Sequence, residues 1–113
     1  MSQITTHILD LGAGSPAQGV AVTLQHKQGT DWSPLGEGRT NDDGRIADLL
    51  ESGKTLDEGV YRLVFQLEDY FEKLKRPSFY PEAAIVFKVA PGGQHYHVPL
   101  LLNNFGYSTY RGS

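Results

Sequence analysis

Histidine, arginine and serine side chains at separate places in this sequence have the types and spacing that chemistry requires. His95 and His97 are one residue apart, so on an extended strand they lie on one face, with Tyr96 and Val98 on the other. A neutral imidazole can accept a proton from water near neutral pH. The pair therefore indicates proton transfer, with an ordinary polar strand face as the simpler interpretation.

A metal site is the competing interpretation of the same two histidines. A His-x-His pair with a third histidine elsewhere is a weak zinc pattern, because zinc is also commonly held by cysteine. The sequence contains no cysteine, so no thiolate ligand supports this interpretation. We therefore predict no metal, and the role of His95 stays open.

Three more residues complete the set of candidates. Arg45 follows an Asp-Gly pair, and its planar guanidinium matches a carboxylate or an anionic ring imide, although a solvent-facing arginine fits the same pattern. His7 lies within a strand-like run, where a single histidine is usually structural. For Ser113, the sequence reveals neither an orienting third group nor an oxyanion hole that would make it a nucleophile. Its hydroxyl or carboxylate can still position a water molecule.

Short apolar runs must form the elements that position these residues. Their alternation at period two predicts an all-β domain. Strands are predicted over residues 4–9, 20–24, 60–67, 83–89, 94–102 and 107–110, with another beginning at Arg45.

Other segments predict how the strands are connected. Residues 69–75 have apolar side chains at helical spacing and predict one short helix. Residues 91–93 (Pro-Gly-Gly) predict a hairpin between the two strands that flank them. Pro99 cannot donate a ladder hydrogen bond, so we expect it at an edge, at a bulge, or where its N–H would point out of the ladder.

Length and charge limit the classes of partner. The chain of 113 residues suits a single domain, residues 1–113, and has no apolar run near the roughly 20 residues that span a bilayer. Its net charge is −3 and its basic residues are scattered, which argues against a nucleic-acid partner. No signal peptide is visible at the start, so we predict a cytoplasmic protein without a membrane anchor.

Four ordered segments resemble one known family. They are residues 6–10 with the following 14–24, residues 40–45 (Thr-Asn-Asp-Asp-Gly-Arg), residues 95–102, and residues 110–113 (Tyr-Arg-Gly-Ser). Together they resemble the transthyretin-like 5-hydroxyisourate hydrolases over the length of the chain. Asn103 and Asn104 depart from that family, which more often has Ser-Pro there.

The resemblance implies a fold and an activity. The fold would be a transthyretin-like sandwich of two four-stranded sheets with one short helix. The activity would be hydrolysis of 5-hydroxyisourate at a lactam C–N bond, giving 2-oxo-4-hydroxy-4-carboxy-5-ureidoimidazoline in urate degradation without a cofactor. The assembly would be a homotetramer, a dimer of dimers with its sites at the dimer–dimer junction.

The resemblance also implies site residues. His7, Arg45, His97 and Ser113 would be catalytic, and Arg45, Tyr110 and Ser113 would bind the substrate. Either histidine can be the general base, and the sequence does not decide between them.

Two alternatives belong to other functional classes. A transthyretin-like carrier would bind an apolar small molecule in the tetramer channel without catalysis, but it has no need of paired polar histidines there, since burying such groups is costly. A β-sandwich adhesion or carbohydrate-binding module would use Trp32 and the tyrosines as a platform, and this explains none of the four segments.

Overall fold

The computed structural model describes residues 2–112. Within them lie nine strands and one helix. Their bounds, in chain order, are β1 Ile4–Asp10, β2 Ser15–Pro16, β3 Ala21–Gln28, β4 Asp31–Arg39, β5 Arg45–Ile46, β6 Gly59–Gln66, α1 Glu68–Lys73, β7 Glu82–Val89, β8 Tyr96–Asn103 and β9 Gly106–Thr109.

The strands form two sheets that pack as a sandwich. One sheet has the order β2-β1-β8-β9, with β5 also paired to β1, and the other has the order β4-β3-β6-β7. The pairing of β1 with β8 is parallel and the other strand pairings are antiparallel. The predicted sandwich is confirmed, and the first sheet has five strands because the two short strands β2 and β5 both pair with β1.

Alternation along the strands produces the core between the sheets. Val20, Val22 and Leu24 are buried, as their spacing predicts. The odd-numbered residues from Tyr61 to Leu67, in β6 and directly after it, are buried as well. Tyr96 and Val98 of β8 are also in this core. His95 and His97 consequently project from the opposite face of the first sheet.

The single short helix is confirmed, with bounds slightly different from the predicted 69–75. The helix ends at Lys73, and Phe71 is its one buried residue. Leu74, directly after the helix, is 47% exposed. Lys75 then has φ of 53°, the left-handed conformation that often follows a helix. No helix within residues 2–112 has the length and apolar composition to cross a membrane.

The predicted hairpin at residues 91–93 is wrong. β7 pairs with β6 in the second sheet, whereas β8 pairs with β1 and β9 in the first. The segment between them therefore crosses from one sheet to the other. Gly92 and Gly93 both have positive φ, so the Pro-Gly-Gly signal marks a change of direction, but not a tight turn between paired strands.

Pro99 lies on an internal strand, at the place where pairing with β9 stops. The ladder between β8 and β9 runs from Leu100 to Asn103, and the next contact beyond Pro99 is an isolated bridge between His97 and Gly112. The carbonyl of Pro99 accepts a hydrogen bond from the hydroxyl of Thr109 at 2.7 Å. Its missing N–H therefore falls in a gap of the ladder, the third of the expected arrangements.

Candidate active site

The outer face of the first sheet brings three predicted site residues together, because β5, β1 and β8 are neighbours there. His7 pairs with Arg45, and Thr5 pairs with His97. Residues directly opposite each other on paired strands project from the same side of a sheet. Since Ile8, at the alternate position of β1, is buried in the core, these four residues share the outward face.

A pocket of about 320 Å³ lies on this face. Arg45, His95 and His97 line it together with Thr5 and the start of the segment after β5. His7 is next to Arg45 in the ladder but is not among the lining residues. The pocket thus joins a guanidinium to two imidazoles, a combination that can hold a small anionic ring and exchange a proton with it.

The hydroxyl of Thr5 connects the two imidazoles. Its Oγ1 is 2.8 Å from Nδ1 of His97 and 3.0 Å from Nε2 of His95. Thr5 is nearly buried, whereas His95 is exposed and His97 is half-buried. Because Nδ1 of His97 is engaged by Thr5, Nε2 is the nitrogen that this ring can offer to a ligand.

The surroundings of His7 and His97 lower the pKa of both rings below the ordinary value and so favour their neutral form. Burial lowers the pKa of His97, and the positive charge of Arg45 and the neighbouring histidines lower it further. Burial and Arg45 likewise lower the pKa of His7, although a hydrogen bond to the backbone of Asp43 and the charge of that residue partly offset the change. A neutral imidazole is the form that can act as a base.

Residues 110–112, called the closing segment below, reach this site through Gly112. The Gly112 N–H donates to the carbonyl of His97 at 2.8 Å. A Cβ at position 112 would lie 2.6 Å from Cδ2 of the His97 ring, so only glycine fits without a shift. Ser113, which the sequence predicts to be catalytic, lies outside the described residues.

Tyr110 does not line the histidine pocket within the described chain. It is 58% exposed and lines a second pocket, of about 330 Å³, with Phe87 and Tyr96 among others. Arg111 stacks on the Tyr96 ring at 4.5 Å and donates a hydrogen bond to Gln94, which ties the segment to β8 and the loop before it. The predicted substrate contact of Tyr110 stays a prediction.

Thr5 is the site residue that sequence reasoning missed. The signal available was its parity, because Thr5 lies two residues before His7 and so projects from the same face of β1. Its contact with His97 depends on a parallel register between residues 92 apart in the chain, which no local pattern reveals. Residues 2–112 hold no cluster of three or more histidine or carboxylate side chains suited to a metal ion.

The sandwich with its histidine and arginine pocket defines a protein of the transthyretin fold whose outer sheet face carries groups for acid–base chemistry. The family model described as "HIUase/Transthyretin family" matches residues 4–112 of this chain. The chain belongs to this family.

Relatives within the family carry a consistent description. A 5-hydroxyisourate hydrolase of Salmonella typhimurium is 46% identical over 110 residues, which cover 97% of this chain and 80% of that protein. The 5-hydroxyisourate hydrolase of Ralstonia nicotianae is 42% identical over 117 residues, with both chains fully covered.

Solved structures include both branches of the family. The structure of Klebsiella pneumoniae 5-hydroxyisourate hydrolase superposes with a TM-score of 0.84 at 38% identity, covering 97% of this chain and 98% of the other. The crystal structure of transthyretin from Sparus aurata superposes with a TM-score of 0.90 at 31% identity, covering 99% and 97%.

Proposed function

We propose that this protein hydrolyses 5-hydroxyisourate by opening its ring at a lactam C–N bond, without a cofactor. The observation that carries the proposal is the placement of Arg45, His7 and His97 on one sheet face, two of them lining one pocket. Hydrolysis of a lactam needs a base for water and a donor for the charge that develops on the carbonyl oxygen. The names of the relatives support the same assignment.

We assign the roles according to this chemistry. His97 or His7 removes a proton from water, since burial and the charge of Arg45 lower the pKa of both rings and so favour the neutral form. Arg45 binds the anionic ring through its planar fork of donors. Ser113, beyond the described residues, orients water or a ring N–H, and Tyr110 contacts the substrate.

The carrier function of the same fold is the alternative. A sea bream transthyretin structure is a complex with thyroxine, and it superposes with a TM-score of 0.90 at 31% identity. What favours hydrolysis is the chemistry of the face, because a guanidinium beside imidazoles offers nothing to an apolar ligand that apolar side chains would not offer better. The named hydrolases are also more similar in sequence than the transthyretins.

We further propose that the protein works as a homotetramer, a dimer of dimers whose sites lie at the junction between dimers. The pocket of one chain lies on an outer sheet face and is open to solvent on one side. A second chain over that face would complete the walls and exclude water, which strengthens electrostatic interactions inside.

The proposal is tested by following the ultraviolet absorbance of freshly prepared 5-hydroxyisourate with and without the protein. We expect decay faster than the spontaneous reaction, and expect His97→Asn and Arg45→Gln each to lower kcat/KM by roughly two decades, within the range of general acid–base catalysis. Arg39→Gln, a change at an exposed arginine on β4, is the matched control and should be fully active. Decay no faster than in buffer contradicts the proposed activity, and full activity of His97→Asn and Arg45→Gln contradicts the assigned roles.

A further inference from the structure

We propose that Thr5 is a positioning residue that holds His97 with its proton on Nδ1, by passing a hydrogen bond from His97 through the Thr5 hydroxyl to His95. This inference rests on the proposed hydrolase function, in which His97 serves as a base. It gives a role to His95, and it selects one of the two neutral forms of the His97 ring.

The argument begins with the number of protons available. Thr5 Oγ1 is within hydrogen-bond distance of Nδ1 of His97 and Nε2 of His95, at 2.8 and 3.0 Å. A hydroxyl has one proton and two lone pairs, so it donates to one ring and accepts from the other. Accepting from both rings would leave the proton of a nearly buried hydroxyl without a partner, which is unfavourable.

Two directions of the chain remain. In the first, His97 Nδ1–H donates to Thr5 and Thr5 donates to His95, so Nε2 of His97 has a free lone pair. In the second, His95 donates to Thr5 and Thr5 donates to Nδ1 of His97, so the His97 proton lies on Nε2. The first direction supplies a base and the second does not, because Nδ1 is already occupied and Nε2 is the nitrogen left for water.

The charges around His97 favour its neutral ring, which either direction of the hydrogen-bond chain requires. Arg45 on β5 and His7 on β1 face His97, and Arg45 adds a positive charge next to it. On the remaining side, the backbone of Gly112 contacts the ring. The described residues place no carboxylate among the groups that shift the pKa of His97, so none favours a second positive charge there.

The first test reads the tautomer directly in the free protein. Ring-nitrogen chemical shifts from long-range proton–nitrogen spectra at neutral pH distinguish protonated from unprotonated nitrogens. We expect the His97 proton on Nδ1 in the wild type and in Thr5→Ser, and on Nε2 in most molecules of Thr5→Val, since a free histidine ring prefers Nε2–H. A wild-type His97 protonated on Nε2, or one that Thr5→Val leaves unchanged, overturns the inference.

The second test uses turnover of 5-hydroxyisourate. Thr5→Val should lower kcat about fivefold to tenfold, the size of one lost hydrogen bond, with KM unchanged, and Thr5→Ser should restore it. His95→Leu should lower kcat at least as much, because the hydroxyl then turns toward His97, whereas His95→Gln retains an acceptor for that hydroxyl and should lower kcat less than His95→Leu. Equal kcat in Thr5→Val and the wild type overturns the inference.

Thr40→Val is the matched control. Thr40 is also a buried threonine whose hydroxyl makes two hydrogen bonds, donating to the Ala17 carbonyl and accepting from the Val20 N–H, and it is not among the residues that line the pocket. It should lower the melting temperature without changing kcat or the His97 tautomer, and a kcat loss equal to that of Thr5→Val would reduce the Thr5 effect to stability. A wild type that fails to hydrolyse the substrate contradicts the proposed function, while the tautomer measurement still tests Thr5.

Discussion

Gly112 shows how a single residue without a side chain shapes the site. Its φ is not in the left-handed region, so conformational freedom does not explain the glycine. The explanation is contact, since a Cβ would meet Cδ2 of His97 at 2.6 Å and Cγ of Pro99 at 3.4 Å. The backbone of the closing segment can lie against the His97 ring because position 112 has no side chain.

Gly112→Ala should therefore impair activity more than stability. The added methyl group must displace the His97 ring or lift the closing segment, and a misplacement of about 1 Å can cost up to 100-fold in rate. We expect kcat/KM to fall between about 10-fold and 100-fold with a nearly unchanged melting temperature. Gly106→Ala, where a Cβ would meet no atom within 4 Å, is the control and should keep full activity. Equal kinetics for the two variants would show that the contact at position 112 is unimportant.

Arg45 should also set the protonation of the histidines beside it. After burial, its charge is the largest cause that lowers the pKa of both His7 and His97 from the ordinary 6.5. In Arg45→Gln, both pKa values should rise, so each ring protonates at a higher pH. The measurement is a proton NMR titration of the ring signals, with Arg39→Gln as the control. Unchanged titration of His97 in Arg45→Gln would contradict the proximity of the two groups.

The same lowered pKa values determine the pH dependence of the wild type. The neutral rings dominate above 6.5, and the rings stay neutral as the pH falls toward their lowered values, so kcat/KM should decline only below 6.5. Between 6.5 and the lowered pKa values, the unfolded chain binds protons at these rings before the folded chain does. The free energy of unfolding therefore decreases as the pH falls through that interval.

At the scale of elements, an ion pair at the end of β1 ties together segments distant in sequence. Asp10 is fully buried and accepts hydrogen bonds from both terminal nitrogens of Arg76 and from the Tyr70 hydroxyl. Arg76 also donates to Asn104, in the turn between β8 and β9. The group therefore links β1, the segment around α1 and the β8–β9 turn.

Asp10→Asn should destabilise the fold. Removing one partner of a buried pair typically costs about 3–5 kcal/mol, and we expect the lower end because the Arg76 side chain is 21% exposed and can be hydrated. The measurement is the free energy of unfolding from denaturant titration, with the exposed Asp42→Asn as the control. A change below about 0.5 kcal/mol, the range of ordinary surface substitutions, would show that the pair is energetically neutral.

The charge on Asp10 also makes the stabilisation by the Asp10–Arg76 pair depend on pH. Burial alone would raise the pKa of Asp10, but the hydrogen bonds from Arg76 and Tyr70 outweigh it, so the pKa lies below its ordinary value. At pH values above the ordinary pKa of an aspartate, the pair therefore makes its full contribution to the free energy of unfolding. Its contribution is lost as the pH falls through the lowered pKa.

Local patterns predicted the strands that alternate at period two, because that alternation depends only on which face of a strand is buried, but they did not predict the more polar β4 or the short β2. The β3 and β6 stripes show this, and so does the opposite placement of His97 and Tyr96. The partner of a strand depends on distant segments, which is why the hairpin at residues 91–93 was wrong. The pairing of Asp10 with Arg76, 66 residues apart, had no local signal for the same reason.

At the scale of the whole molecule, the proposed tetramer predicts a mass and a concentration dependence. Light scattering coupled to size exclusion should give four times the mass of one chain. Specific activity should fall on dilution if neighbouring chains complete the pocket, since dissociation then opens it to water. A mass of one chain together with full activity would contradict the proposed assembly.

The parallel pairing of β1 with β8 also determines when the site can form during synthesis. Thr5 and His97 meet although they are 92 positions apart in the chain, whereas the sheet β4-β3-β6-β7 is complete once Val89 has been made. Such distant contacts form late, because closing a long loop has an entropic cost that only the finished pairing offsets. On the ribosome, β1 is made first and must wait for almost the last strand. The proposed activity therefore requires synthesis to have passed β8, since a chain that stops before β8 has neither His97 nor the strand that pairs with β1 beside His7.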